Sequence, residues 1–394
     1  MPLRGERWLL PEGVEELLPE QAARVELLRR RLLDLFDCWG YEQVIPPLIE
    51  YLESLLTGVG HDLDLQTFKL TDQLSGRLLG VRPDMTPQVA RIDAHRLRRE
   101  TTTRLCYLGP VLRTVPDGPG GTRIPLQLGA ELYGHAGIDS DIEVVRLMLE
   151  ALALAEAGRV HLVVGHAGVA CALFEAAGLD EEDRALLLDI LQRKAVPDLQ
   201  ALLDRWGLDS KLAGRIRGLI GLAGGRAQLD WAREQLGEIE AVARALAGLD
   251  RLADALERYC PSVVADFDFA ELRGYHYHTG ILFSAFMEGQ ARPIATGGRY
   301  DGIGRVFGRD RPATGFTIDL KFLAGLSPLR PGAVEAIHAP AVDDPDLEAE
   351  VARLRREGRR VIRGLEGEHH DPAALGCSQR LVKVDGRWKL ERTK

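Results

Sequence analysis

The sequence holds 394 residues, 45% of them hydrophobic, with a formal net charge of −9. That length exceeds one ordinary domain, so two or three are expected, with enough apolar content for a large core. The acidic balance argues against a general nucleic-acid binder, and the chain shows neither an apolar leader nor a run of about eighteen apolar residues that would cross a membrane.

Gln21 to Trp39 reads as an amphipathic helix, with Val25, Leu28, Leu32, Leu35, Phe36 and Trp39 at three- and four-residue steps and Gly40 as its C-terminal stop. Val44-Ile45 starts a strand that runs into Pro46-Pro47, and Leu78 to Val81 is a second short strand. Thr86-Pro87 opens a helix to about Arg99, with a hydroxyl cap and proline at the first helical position. Leu105 to Leu112 is a strand ending in the loop Pro116 to Gly121. Residues 126 to 133 are the clearest strand: Leu126, Leu128, Ala130 and Leu132 alternate with Gln127, Gly129, Glu131 and Tyr133. Ser140-Asp141-Ile142-Glu143 reads as a capping box for a helix to about Ala157, and Val160 to Val164 as a strand. Residues 169 to 258 are rich in Leu and Ala and lack strand signals, so they read as a helical insertion. Strands resume at Asp266 and run through Phe286, then through Ile294-Ala295; Gly315 to Leu323 enters a helix. Ser327 to Gly332 is a linker, and the tail carries a helix at 345 to 357, strands near Val361 and Leu381, and an Asp385-Gly386 hairpin turn. Mixed elements without regular strand–helix alternation indicate an α+β protein, divided into a domain over 1–325 and a small α/β domain over 326–394.

The five cysteines are scattered and form no C-x-x-C pair, which fits a reducing compartment and gives no thiolate metal site. On strand 126–133 the bland reading is a half-buried edge with its polar face in water. The functional reading is a ligand floor, in which Gln127 donates and accepts, Glu131 accepts from an N–H or ammonium group, and Asp84 joins it across a small amino acid. Arg273 to Gly280 packs Arg273, Tyr275, His276, Tyr277 and His278 between two glycines that allow close approach to the backbone. His276 and His278 lack a third ligand at metal spacing, and His369-His370 reads as solvated surface. Gly297 to Gly302 is by default a structural turn. No phosphate-binding P-loop, nucleophile elbow or H-E-x-x-H is present.

Taken in order, these segments resemble histidyl-tRNA synthetase, a class II aminoacyl-tRNA synthetase, over residues 5 to 325. Leu9 to Gly13, the first helix and Pro47 to Glu50 look like its start and its dimer-forming motif 1; Arg104 to Arg113 with Gln127 to Glu131 look like motif 2. Arg273 to Gly280 and Ala295 to Gly302 look like the two histidine-specific motifs, and Gly315 to Leu323 looks like motif 3. The resemblance implies an antiparallel sheet with flanking helices. In that family an arginine at the position of Arg113 grips the α-phosphate of ATP. A glutamate at the position of Val115 recognises adenine, and an arginine at the position of Phe322 clamps the γ-phosphate. Here Val115, Asp319, Lys321 and Phe322 depart from the pattern, and a phenyl ring supplies no cation to a phosphate. The histidine side is altered too: His278 replaces a tyrosine and Asp84 a glutamate. The tail lacks the basic stripe that an anticodon-binding domain requires.

Amino-acid binding without activation is similar to one class of synthetase paralogue, the regulatory subunits of ATP phosphoribosyltransferase. The resemblance implies a non-catalytic cytoplasmic protein of histidine biosynthesis that dimerises within a hetero-oligomer with a short-form catalytic subunit. It implies L-histidine as effector, and neither tRNA, membrane nor cofactor. It places Asp84 and Thr86 toward the ammonium, Arg113 and Arg273 toward the carboxylate, and Gln127, Glu131 and Tyr300 around the ring, with Tyr277 and His278 beside them. An atypical histidyl-tRNA synthetase, and a sensor acting on another partner, are the alternatives.

Overall fold

The three- and four-residue spacing of Val25, Leu28, Leu32 and Phe36 buries one face of helix α1 (Pro19–Cys38), and Gly40, at φ 79°, turns the chain out of it. The structure is a computed structural model that describes residues 8–57, 61–116, 118, 121–221, 223–272, 278–332, 335–367 and 371–393. Arg273 to Tyr277, residues 117, 119 and 120 of the Gly/Pro loop, and His369-His370 lie outside the described residues. The chain divides into two compact units, Met1–Leu329 and Arg330–Lys394.

In the first unit α1 is followed by β1 (Glu42–Gln43), β2 (Ile49–Tyr51), α2 (Leu52–Leu55), α3 (His61–Gln66), β3 (Phe68–Thr71) and β4 (Leu78–Val81). Helix α4 (Thr86–Arg91) continues as a wide π-turn over Ile92–Leu97 before β5 (Thr103–Pro110), β6 (Leu126–Tyr133), α5 (Ile138–Leu154) and β7 (Val160–His166). A helical stretch follows: α6 (Ala167–Ala176), α7 (Glu181–Gln192), α8 (Val196–Trp206), α9 (Ser210–Ile220), the two-residue β8 (Ala223–Gly224), α10 (Ala227–Leu236) and α11 (Glu240–Tyr259). The chain returns through β9 (Val264–Asp268), β10 (Ile281–Met287), β11 (Ala295–Arg299), β12 (Ala313–Asp319) and α12 (Leu320–Leu326). Among the described residues nine strands form one sheet in the order β1-β5-β6-β12-β11-β10-β7-β9-β8, antiparallel except at β1–β5 and β7–β9. A separate sheet, β2-β4-β3, packs α2 on one face: a side chain at Gly80 would meet Leu52, Leu55 and Thr67. The architecture is the expected α+β class.

Four local readings are corrected. The strand after α1 is Glu42–Gln43, two residues earlier than Val44-Ile45, because that register pairs it with Leu105 and Cys106 of β5. Strand β6 is not a half-solvated edge. It lies between β5 and β12, and its Gln127, Gly129, Glu131 and Tyr133 are as buried as its apolar side. Thr86 is inside α4 rather than capping it; Asp84 Oδ1 accepts the Thr86 N–H at 3.1 Å in its place. The Ser140 capping box is absent, since α5 starts at Ile138 and Ser140 and Asp141 are buried partners of Arg299.

The second unit folds β13 (Ala336–Ala339), α13 (Pro345–Arg356), β14 (Arg360–Arg363), β15 (Cys377–Val384) and β16 (Arg387–Arg392) into a β14-β13-β15-β16 sheet with α13 packed against it. Asp385 and Gly386, at φ 52° and 76°, make the tight turn between β15 and β16.

Buried ion pairs pin the connections of the first unit. Arg299 Nη2 donates to Asp141 Oδ2 at 2.9 Å and to Ser140 Oγ at 2.7 Å, so β11 holds the start of α5. Arg311 Nη1 donates to both oxygens of Asp93, at 2.9 and 3.0 Å, and its Nη2 to the Thr101 carbonyl at 2.6 Å. Asp93 lies in the π-turn and is 1% exposed, so removing its partner strands a carboxylate away from water. Arg311→Met is expected to cost about 3–5 kcal/mol in urea denaturation, and adding Asp93→Leu to recover a large part of that loss.

Candidate functional site

Strand register sets the site. Tyr107 of β5 lies opposite Gly129 of β6, and a β-carbon at 129 would overlap the Tyr107 ring. The gap that glycine leaves is therefore filled by a phenol, whose hydroxyl donates to Glu131 Oε1 at 2.9 Å and lies 3.0 Å from Thr86 Oγ1. On the other side Gly315 of β12 pairs with Glu131, and any side chain at 315 would occupy the space of the Glu131 carboxylate. Tyr300 donates its hydroxyl to Glu131 Oε2. Burial pushes the Glu131 carboxyl up from its ordinary 4.5 to about 8, against the opposing pull of the Tyr300 and Tyr107 hydroxyls.

A cavity of about 280 Å³ opens on this carboxyl, near the small end of ligand sites, which run from about 300 to 1,000 Å³. Asp84, Thr86, Glu131, His278 and Tyr300 line it, together with Glu271, Phe283 and Ser284. Glycine makes the histidine's approach possible: a β-carbon at Gly298 would fall 2.8 Å from His278 Nε2. Among the described lining residues three carry carboxyl groups and none is lysine or arginine. The cavity thus offers acceptors to a ligand rich in N–H groups or carrying positive charge.

Gln127 and Arg113 sit elsewhere. They line a larger cavity, about 810 Å³, that shares Thr296 and Thr317 with the first. Gln127 still serves the small cavity from behind, since its Nε2 donates to Asp84 Oδ1 at 2.7 Å and its Oε1 accepts the Met85 N–H at 2.9 Å. Arg113 Nε donates to the Pro83 carbonyl at 3.3 Å. Arg273 and Tyr277 lie outside the described residues. Gly297-Gly298-Arg299 is strand rather than turn, and Arg299 faces Asp141.

The larger cavity also carries Arg292, Asp319 and Phe322. The Arg292 guanidinium lies 3.7 Å from the Phe322 ring centre and 3.9 Å from Asp319 Oδ2. The cation that position 322 lacks is thus present, delivered from the segment between β10 and β11, but engaged by a π-face and a carboxylate. Burial raises the Asp319 carboxyl, and Arg292 opposes that rise. Its Oδ1 accepts the Lys321 N–H at 3.1 Å and caps α12.

Sequence reasoning missed Tyr107, Glu271 and Arg292. Tyr107 becomes visible only with the β5–β6 register, and Glu271 stands two residues before the segment that drew attention. Nothing local marks Arg292.

Residues 13–323 match the family model described as histidyl-tRNA synthetase, and residues 334–391 match the ATP phosphoribosyltransferase subunit HisZ C-terminal domain. A protein of Thioalkalivibrio sulfidiphilus named ATP phosphoribosyltransferase regulatory subunit is 56% identical over 96% of each chain. One of that name from Pseudomonas aeruginosa is 52% identical over 98% of each. The chain belongs to the ATP phosphoribosyltransferase regulatory subunits. A solved structure described as an ATP phosphoribosyltransferase regulatory subunit/histidyl-tRNA synthetase, from Bacillus halodurans, is 29% identical. It covers 94% of this chain and 96% of its own, with a TM-score of 0.82. The histidyl-tRNA synthetase of Nostoc, at 17% identity and a TM-score of 0.79 over 98% and 97%, shares the fold. Membership of this regulatory family is thus carried on a synthetase framework.

Glu131 gives this pocket a pH signature. In the unfolded chain its carboxyl loses a proton near pH 4.5, and in the folded chain near 8, so between those values unfolding releases a proton and stability falls as pH rises. Glu131→Gln removes that proton release. Its stability relative to wild type is expected to grow from about pH 4.5 to about pH 8, by up to ~1.4 kcal/mol per unit, and to level off above, as read by denaturation across pH.

Proposed function

We propose that this chain is the non-catalytic regulatory subunit of an ATP phosphoribosyltransferase, assembling with a short-form catalytic subunit at the first step of histidine biosynthesis and conveying histidine inhibition to it. The observation that carries the reading is full-length identity of 51–56% to proteins of that name, joined to a phosphate side in which Arg292 is held by Phe322 and Asp319. Activation of an amino acid needs cations free to meet developing phosphate charge.

The small cavity is the histidine site in this reading. Asp84 and Thr86 face the ammonium, Glu131 and Tyr300 face the imidazole, and His278 lies alongside. Arg113, Gln127, Arg273 and Tyr277 complete the set, with the arginines on the carboxylate. Feedback requires only that histidine prefer one conformation of the complex, and a tenfold preference is ~1.4 kcal/mol, within reach of one charge-assisted hydrogen bond. The chain works in the cytoplasm and without tRNA; among the described residues no helix is long and apolar enough to cross a membrane.

Self-association completes the reading. On the β2-β4-β3 sheet, the face away from α2 carries Ile49, Tyr51, Phe68, Leu70, Leu79 and Val81. Ile49, Tyr51 and Leu70 are 47%, 37% and 40% exposed, and Arg77 stacks on the Tyr51 ring and Arg123 lies over Phe68, an apolar face with cations on two of its rings of the kind that a second copy covers.

The purified chain is expected to give no histidine-dependent ATP–pyrophosphate exchange; clear exchange would return it to the synthetases. Mixed with a short-form ATP phosphoribosyltransferase it should confer inhibition by histidine, and Glu131→Ala should abolish that inhibition, whereas full inhibition in the variant would rule out this pocket. Light scattering should find a dimer for wild type and a monomer for Leu70→Asp.

A further inference from the structure

The corner between α7 and α8 holds a residue that its backbone does not favour. Lys194 has φ 51°, in the left-handed region where helix ends usually place glycine. Its N–H meets the Leu191 carbonyl at 3.0 Å and the Ala195 N–H meets the Ile190 carbonyl at 3.1 Å, so the corner is a closed helix ending with a strained lysine at its tip.

The side chain explains why lysine stands there. Lys194 Nζ lies 2.7 Å from Asp268 Oδ2, a carboxylate whose side chain is only 7% exposed. Two residues earlier, Gln192 Nε2 donates to the Leu272 carbonyl at 3.1 Å. The corner therefore grips both ends of the segment 268–272. Within that segment Asp268 Oδ1 accepts the Ala270 N–H at 2.9 Å, and the Glu271 N–H returns to the Asp268 carbonyl at 3.2 Å. Gly165 of β7 seats the turn: a β-carbon there would fall 2.5 Å from the Glu271 carbonyl oxygen and 3.1 Å from that of Asp268. Glu271, which closes the turn, is a wall of the small acidic cavity.

We infer that Gln192 and Lys194 are positioning residues through which the helical stretch α6–α11 sets the wall of the ligand cavity, so that occupancy of the cavity and the state of the α7–α8 corner are coupled. The coupling rests on the reading of that cavity as a histidine site; the grip on residues 268–272 does not. Such a linkage is reciprocal: loosening the corner weakens the ligand, and the ligand stiffens the corner.

Lys194→Gly is the informative variant, because glycine suits the left-handed backbone and only the tie to Asp268 is lost. In the full ligand-free chain, glycine's relief of the left-handed backbone offsets part of the loss of Asp268's partner, so the melting temperature should fall less than in Lys194→Ala, while hydrogen exchange at residues 269–272 speeds up about tenfold. Histidine affinity by calorimetry should fall about tenfold, and Lys194→Arg should keep wild-type affinity. Histidine should slow exchange at residues 190–196 in wild type and not in Lys194→Gly. Unchanged exchange at 269–272 in the variant overturns the grip, and faster exchange with unchanged histidine affinity overturns the coupling. A wild-type chain that ignores histidine overturns the ligand reading and the coupling together, and the grip is then decided by the ligand-free exchange alone.

Discussion

A carboxyl group in the middle of a nine-stranded sheet governs this protein. Glu131 is 1% exposed on a strand with neighbours on both sides, where an unpartnered polar group would be costly. Two tyrosine hydroxyls, from β5 and from just after β11, meet its two oxygens, and two glycines, one on its own strand and one on β12, make the room. Asp84, Thr86 and Gln127 extend the same hydrogen-bonded group toward α4. A core arranged this way forgoes apolar packing at its centre and gains a cavity with defined acceptors.

The same sheet carries both cavities. The small one keeps acidic groups fixed by strand register. The larger one depends on the segment between β10 and β11 and on the junction of β12 with α12. The two are thus carried by different structural elements, and one can be altered without unfolding the other. Information from the pocket then has a short mechanical path, since its wall is the turn that Lys194 and Gln192 hold from the helical stretch.

Much of this was legible in the sequence because the relevant signals are short in range. Strict alternation at 126–133 and the apolar run at 78–81 coincide with β6 and β4. The α1 stripe ends at Gly40 as its spacing requires. What could not be read depends on partners distant in the chain. The burial of the polar face of β6 follows from its central place in the sheet. The start of α5 is shifted because Arg299, more than 150 residues away, claims Ser140 and Asp141. Strands β2, β3, β13 and β16 are short or strongly polar, so periodicity gives them little signal. The site residues fell in two groups for a similar reason: Asp84, Thr86, Glu131, His278 and Tyr300 share one cavity, while Gln127 and Arg113 turn toward its neighbour.

The Arg292–Phe322–Asp319 cluster ties together positions from three segments of the chain. The ring accepts the guanidinium, the guanidinium balances the carboxylate, and the carboxylate caps α12. Losing Phe322 leaves Arg292 paired with Asp319, and losing Asp319 leaves the guanidinium on the ring, whereas losing Arg292 takes a partner from both. The guanidinium is thus the hinge of the three, and substitutions at these positions combine non-additively.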